Sequence, residues 1–579
     1  MLLQARPIKA RFPVIVVMMI FAIALLTTVL ALLPAKAGAS VMLAGGHLPV
    51  CSSMSAQQCV RPVEWPDNAL AQHRYLVDEA GILRWALALD SSPGERNLTP
   101  WLLLLRSLIG DELLSRSEFG ERLRATELDW SDSGSGASGS ISGRDLYQQM
   151  TDADWWRLLD HFQQPVDIQG EQVKLAESKQ QASIEIFQRF VAMAAEAGQT
   201  QRPLIAVSTA SSRDPYDALD FYLQVFEQAG AEVIWLPLDA AVRRARTEQN
   251  CTDLARYQAL ELGSHDRQRV WPEQFQSQLG FCLSRDAGLE IAAQVDGIFL
   301  NGGDQWLTLH AFRDGSGLPT PELNMLLRRL ERGDLVIGGT SAGAAVQSAA
   351  NMISNGSNQA ALTKGALASS PPGLACLQPG NCADELKTDS LSYHPPGGLG
   401  SAPFAIVDTH FSERQRQFRL LQLLIDSHQR YGIGVDETTA LIIRRGNEEG
   451  KFELEALGAG AAWLIDTGPA EVHDRLPLNV DSVHMLRMSD GQQITFQPDK
   501  GLADITRQQS SASPGDCLSL AAVHSFDRLV QAYSSNNSAA VVCHELALEG
   551  DRKARGKLSI ETQVNDEPLQ MLWQLRVDP

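Results

Sequence analysis

The sequence predicts an α/β fold, a mostly parallel β-sheet with helices on both faces, enlarged by insertions. Short apolar runs alternate with amphipathic stretches from about residue 182 to 443, an order that gives parallel strands joined by crossover helices. Several runs end in glycine-rich turns: "VMLAGG" (41–46), "IFLNGGDQ" (298–305) and "LVIGGTSAG" (335–343). Hydrophobic residues make up 44% of the 579 residues, which supplies a sizeable core, and the length exceeds one ordinary core.

In chain order, "SVMLAGGH" (40–47) reads as the first strand. Residues 50–180 change character, with helical apolar spacing and Trp65, Trp85, Trp101, Trp130, Trp155 and Trp156. This is a largely helical insertion whose tryptophans suit a core better than a ligand platform. Within it, "SDSGSGASGSISG" (131–143) reads as a flexible linker or exposed loop. Alternation then begins: helix 182–198, strand 203–211, helix 217–230 and strand 231–239. A polar insertion covers 240–285, and "LEIAAQVDGIFLNGGDQ" (289–305) gives a helix, a strand and a turn. Helix 321–333 leads into the strand Leu335-Val336-Ile337, and Ala342 to Ile353 reads as a helix. After a long loop (355–402) come strand 404–411, helix 412–429 and a strand over "YGIGVDETTALII" (431–443). "KFELEALGAGAAWLID" (451–466) reads as a hairpin adding antiparallel strands. The expected organisation is a targeting segment (1–39), an α/β domain (40–49 and 181–468), the helical insertion (50–180) and a β-leaning C-terminal extension (469–579).

The targeting segment has Arg6, Lys9 and Arg11 before an apolar run from Phe12 to Leu33, then "PAKAGAS" with small-residue cleavage sites. It reads as a signal peptide, or as a membrane anchor if it stays uncleaved. The expected location is secreted or periplasmic, with membrane contact only in the uncleaved case. Eight cysteines fall into near neighbours: Cys51 and Cys59, Cys251 and Cys282, Cys376 and Cys382, Cys517 and Cys543. An even count in an exported chain suggests disulfides, and pairing within each couple is expected. No C-x-x-C occurs and no histidine stands at ligand spacing, which argues against zinc. The net charge of −20 disfavours nonspecific nucleic-acid binding.

Gly339-Thr340-Ser341-Ala342-Gly343 fits the G-x-S-x-G nucleophile elbow, a sharp strand-to-helix turn that exposes a hydroxyl. A serine needs a base, and the base an orienting group. His410 ends the apolar "FAIV" strand, and Glu437 follows "GIGVD". Ligands of open parallel sheets bind outside the carboxyl ends of the strands, where all three residues fall. The turn around Gly303, with the Ala342 N–H, offers donors for an oxyanion. An α/β-hydrolase orders its triad Ser, acid, His, whereas here the histidine precedes the acid. A non-enzymatic relative that uses its insertions for binding is the other alternative, against which the complete Ser, His and Glu set argues.

On "GGDQ" (302–305), "GGTSAGAAVQS" (338–348), "DTHFSERQRQFRL" (408–420) and "GIGVDETTAL" (432–441), the chain resembles the cyanophycinases, in a serine peptidase family that also contains the aspartyl dipeptidases. The resemblance covers about half the chain and implies a class I glutamine amidotransferase-like, flavodoxin-like fold. It implies a Ser-His-Glu triad carried onto Ser341, His410 and Glu437, with substrate-pocket positions at Gln305, Asp408, Arg414, Arg416 and Arg419. It further implies a polypeptide substrate, cyanophycin, which is polyaspartate with arginine on each side-chain carboxyl. Release of β-Asp-Arg dipeptides from the chain end would pass through an acyl-enzyme. No cofactor or metal is implied, and a homodimer is compatible with the family. Thr409 stands where the family usually has Gln, and Glu413 where Gln is frequent, which leaves an aspartyl dipeptidase-like or other isopeptide-cleaving hydrolase as the alternative. Thr340 favours the cyanophycinase branch, since aspartyl dipeptidases usually carry Trp there, and Ser341 stands where a glutamine amidotransferase would use Cys.

Overall fold

The computed structural model describes Gly38 and residues 40–577 except 68, 91–97, 132–137, 167–169, 373–385, 447, 503–517, 520–526, 528–529, 532–539, 549–552 and 561–568. The expected targeting segment therefore lies outside the described residues apart from Gly38, as do Cys376, Cys382 and Cys517.

The protein is a mixed α/β structure. Its first sheet runs Gln493–Phe496, Phe452–Gly458, Thr439–Arg445, Ser40–Ala44, Val336–Thr340, Gly297–Leu300, Leu204–Ser208, Glu232–Trp235. The five strands from Ser40–Ala44 onward pair in parallel, and the three before them are antiparallel. Side chains alternate between the faces, as a pleated strand requires. Met42 and Ala44 join the core beneath helix Gln181–Gly198, while Val41 and Leu43 join the core on the other face. Both faces are therefore covered, which a parallel sheet needs.

A second sheet runs Ala405–Thr409, Tyr431–Val435, Ala462–Asp466, Leu478–Met488, Leu569–Val577, Lys553–Ile560, Ala540–Ala547, Leu518–Ser519. This corrects two expectations. The stretch 431–443 is two strands in different sheets, broken at Asp436-Glu437-Thr438, where Thr438 has φ +54°. The segment 451–466 is no hairpin, because its halves also separate between the sheets at Gly458, whose φ is +128°. Alternating apolar residues satisfy either sheet, so periodicity alone hides such a crossing. The extension's strands continue this second sheet.

The expected helix 342–353 is also shorter. It covers only Ala342–Ala345, and Met352–Asn355 is a strand paired with Leu391–His394. The Ser348 hydroxyl turns back to the Ala345 carbonyl at 2.9 Å, and Asn351 takes φ +51°. Both residues compete with helical hydrogen bonding.

The Trp-rich insertion has its own apolar core, in which Trp85 and Trp155 are buried among Phe119, Leu158 and Phe162. The ends of its expected loop form a hairpin, Glu127–Ser131 against Ser138–Ser142. The bidentate Arg213–Asp160 pair (2.7 and 2.8 Å) ties the insertion to the loop after strand Leu204–Ser208. Cys51 pairs with Cys59 and Cys251 with Cys282, as expected.

Candidate active site

Ser341 sits at the turn between Val336–Thr340 and Ala342–Ala345 with φ +52° and ψ −115°. Such a conformation is strained for a non-glycine residue and persists where packing enforces it. The packing is visible in the flanking glycines. A Cβ on Gly339 would lie 2.3 Å from the Gly343 carbonyl oxygen, and one on Gly343 only 2.2 Å from that of Leu300. The backbone can close around the serine only because both lack side chains.

Ser341 Oγ lies 2.7 Å from His410 Nε2, and His410 Nδ1 lies 2.7 Å from Glu437 Oε1. A carboxylate only accepts, so Nδ1 carries the proton and Nε2 presents its lone pair to the hydroxyl. Burial pushes the His410 pKa below its ordinary value, and the charges of Arg414 and Arg416 act the same way, against the hydrogen bond that His410 donates to Glu437. The imidazole is thereby kept neutral, in the form that can take a proton from Ser341.

The three segments meet on the end of the first strand. Ser341 N–H donates to Ala44 O (2.9 Å), His410 N–H to Gly45 O (2.8 Å) and Thr438 N–H to Gly46 O (2.9 Å). Three successive carbonyls thus collect the serine, the histidine and the residue after the acid. Gly46 has φ +107°, and a Cβ there would stand 2.3 Å from His410 Cε1. Sequence reasoning placed these glycines only at a strand end, and their contact with a ring more than 360 residues away leaves no local signal. Gly46→Ala is expected to displace the imidazole and lower kcat by about 100-fold, the cost of a misplacement of about 1 Å, with the fold retained by circular dichroism.

Gly302 runs beside the serine, its Cβ position 3.4 Å from Ser341 Cβ. Gly303 has φ +149° and abuts the Ser211 carbonyl, so the turn admits no side chain there. Asn301 holds that turn by accepting from Ser211 N (3.2 Å) and donating to Ser212 Oγ (2.7 Å). The Ala342 N–H opens the short helix and belongs to the first turn, which lacks intrahelical acceptors.

Of the expected substrate positions, Arg414 is exposed. Gln305 donates to Ile353 O at 2.8 Å. Asp408 and Arg419 face each other: Nε and Nη2 reach the carboxylate at 2.7 and 2.6 Å, while Nη1 donates to Gly356 O at 2.7 Å. Both are buried, and this arginine is a strut beneath the site with each of its three nitrogens engaged. Burial alone would raise the Asp408 pKa, but the Arg419 and Arg416 charges outweigh it and hold it below the ordinary value. Arg416 donates to Thr409 O (2.7 Å) and only distantly to Asp408 (3.4 Å). Burial and the neighbouring Arg419 charge push its guanidinium down to about 10, the mark of a cation short of counter-charge. Among the described residues no group of His, Cys, Asp and Glu is arranged to hold a metal ion.

No family model matches the chain. A cyanophycinase of Synechococcus elongatus is 32% identical over 205 residues, 34% of this chain and 52% of that protein. A cyanophycinase of Geminocystis herdmanii is 27% identical over 329 residues, 55% of this chain and 92% of that protein. The chain is thus similar to the cyanophycinases over 34 to 55% of its length. A third cyanophycinase, from Trichormus variabilis, is 25% identical over 293 residues, 50% of this chain and 73% of that protein. The chain thus spans about half the length of the first of these relatives. The crystal structure of a peptidase from an acI-B1 Actinobacterium matches at 17% identity and a TM-score of 0.30, covering 55% of this chain and 92% of that one. A hydroxyl, a neutral imidazole and a carboxylate in one hydrogen-bonded line form a set that can deliver a nucleophile to an amide carbon and return a proton to its nitrogen.

Proposed function

We propose that the protein is a serine-type exopeptidase that hydrolyses cyanophycin to β-Asp-Arg dipeptides. The observation that carries this reading is the Ser341–His410–Glu437 line, 2.7 Å at each step, in a relative of the cyanophycinases. Ser341 Oγ attacks the scissile carbonyl carbon as its proton passes to His410 Nε2. Glu437 stabilises the imidazolium, and the N–H groups of Ala342 and Gly303 receive the oxyanion. The imidazolium then protonates the leaving nitrogen, the C–N bond breaks and an acyl-enzyme remains. Water, deprotonated by the same imidazole, releases the acid and restores Ser341.

The fold reading is the class I glutamine amidotransferase-like, flavodoxin-like one. The parallel strand order supports it, with one departure: the fifth place of the 2-1-3-4-5 order is filled by Ser40–Ala44, the strand nearest the N-terminus. The targeting segment and the two disulfides support an exported enzyme, secreted or periplasmic.

Cyanophycin carries a free α-carboxylate on each arginine. Arg414, exposed beside His410, and Arg416, short of counter-charge, suit that group. The test is incubation of the protein with insoluble cyanophycin and mass analysis of the soluble products. β-Asp-Arg is expected. Cleavage of short α-aspartyl peptides alone would instead make this an aspartyl dipeptidase-like enzyme. Arg414→Lys is expected to raise KM on cyanophycin about tenfold, because Lys cannot form the planar two-bond contact, while labelling of Ser341 by a small fluorophosphonate stays unchanged.

A further inference from the structure

Asp436 precedes Glu437 in the chain, is fully buried, and takes no part in the steps above. Its carboxylate accepts the Ser412 N–H (3.0 Å) and the Ala461 N–H (3.0 Å), and the Trp463 indole N–H lies 3.2 Å from both oxygens. Ser412 is two residues beyond His410, and Ala461 begins the return of the chain to the second sheet. One side chain therefore fastens the segment carrying the base to the segment carrying the acid, where the two sheets meet.

We propose that Asp436 is a positioning residue that keeps His410 and Glu437 at hydrogen-bonding distance. This rests on the reading of Ser341, His410 and Glu437 as a hydrolytic triad. Three N–H donors converge on the two carboxyl oxygens of Asp436, which keep lone pairs for them whether or not the group is ionised, an arrangement Asn cannot copy without turning its amide N–H toward a donor. Burial and the nearby acids Glu413 and Asp527 push its pKa up to about 8. The Trp463 arm reaches further. Trp463 stands opposite Arg487 across the paired strands, and Arg487 holds Asp527 at 2.5 Å, so the C-terminal extension backs the same carboxylate.

The experiment compares the full chain with Asp436→Asn by rate of fluorophosphonate acylation, kcat and KM on cyanophycin, and melting. Acylation and kcat are expected to fall about 100-fold with KM within about twofold, because misplacement acts on the reacting geometry rather than on binding. The downfield proton signal of His410 Nδ1–H should weaken or shift with them. A folded Asp436→Asn chain that acylates within about threefold of the wild type overturns the inference. A wild-type chain that fails to acylate overturns the triad reading itself and this inference with it. If Asp436→Asn melts below the assay temperature, Trp463→Phe, which removes one of the three donors, decides: about a tenfold loss is expected, and an unchanged rate overturns the inference.

Discussion

Ser341→Ala is expected to abolish the proposed hydrolysis and to leave the fold intact. The hydroxyl is the group that would form the covalent bond, and its only direct side-chain partner among the described residues is His410 Nε2 at 2.7 Å. Removing it strands no buried donor, so melting should shift little. A triad acts as a unit, and losses of about 10⁶ in kcat follow deletion of the serine or histidine in a well-studied protease. His410→Ala is expected to cost nearly as much. Glu437→Gln should cost less, because the acid orients and stabilises the imidazolium without reacting. Product release from cyanophycin and fluorophosphonate labelling check all three. Full activity in Ser341→Ala would sink the mechanism.

Arg419→Leu has the largest expected effect on stability. It would leave Asp408, 1% exposed, with the longer contact from Arg416 as its remaining charge partner. Breaking a buried ion pair from one side costs about 3–5 kcal/mol, because the stranded charge has lost its water and its partner. Chemical denaturation should show that loss. The double change Arg419→Leu with Asp408→Leu should recover part of it, since no charge is then stranded. Arg414→Lys, by contrast, should leave melting unchanged, because Arg414 is exposed. The pair of results separates an arginine that braces the site from one that is exposed and proposed to meet substrate. A fully stable Arg419→Leu would mean that the pair contributes nothing to the fold.

Much of the site was legible in the sequence. Ser341, His410 and Glu437 each follow an apolar run that ends in a polar turn, and strand ends of that kind gather at one edge of an α/β sheet. The elbow glycines were legible for a local reason, since a sharp turn around a serine needs neighbours without side chains. The two disulfides inside the described residues joined near neighbours, where short separation limits the choice.

Other features were decided only by tertiary structure. Nothing local distinguishes an apolar run that stays in one sheet from one that crosses to a second, so the breaks at Glu437 and at Gly458 went unseen. Arg416 and Arg419 stand one turn apart and differ in role because Asp408 and the Gly356 carbonyl engage all three nitrogens of Arg419. The backbone carbonyls of Ala44, Gly45 and Gly46 carry no side-chain signature, yet they align the segments that hold Ser341, His410 and Glu437. Asp436 looked like part of a strand end until Ser412, Ala461 and Trp463 closed around it. The sequence by itself determined which groups could react. The hydrogen bonds that fix their distances join residues far apart in the chain, and only folding brings those donors and acceptors within reach.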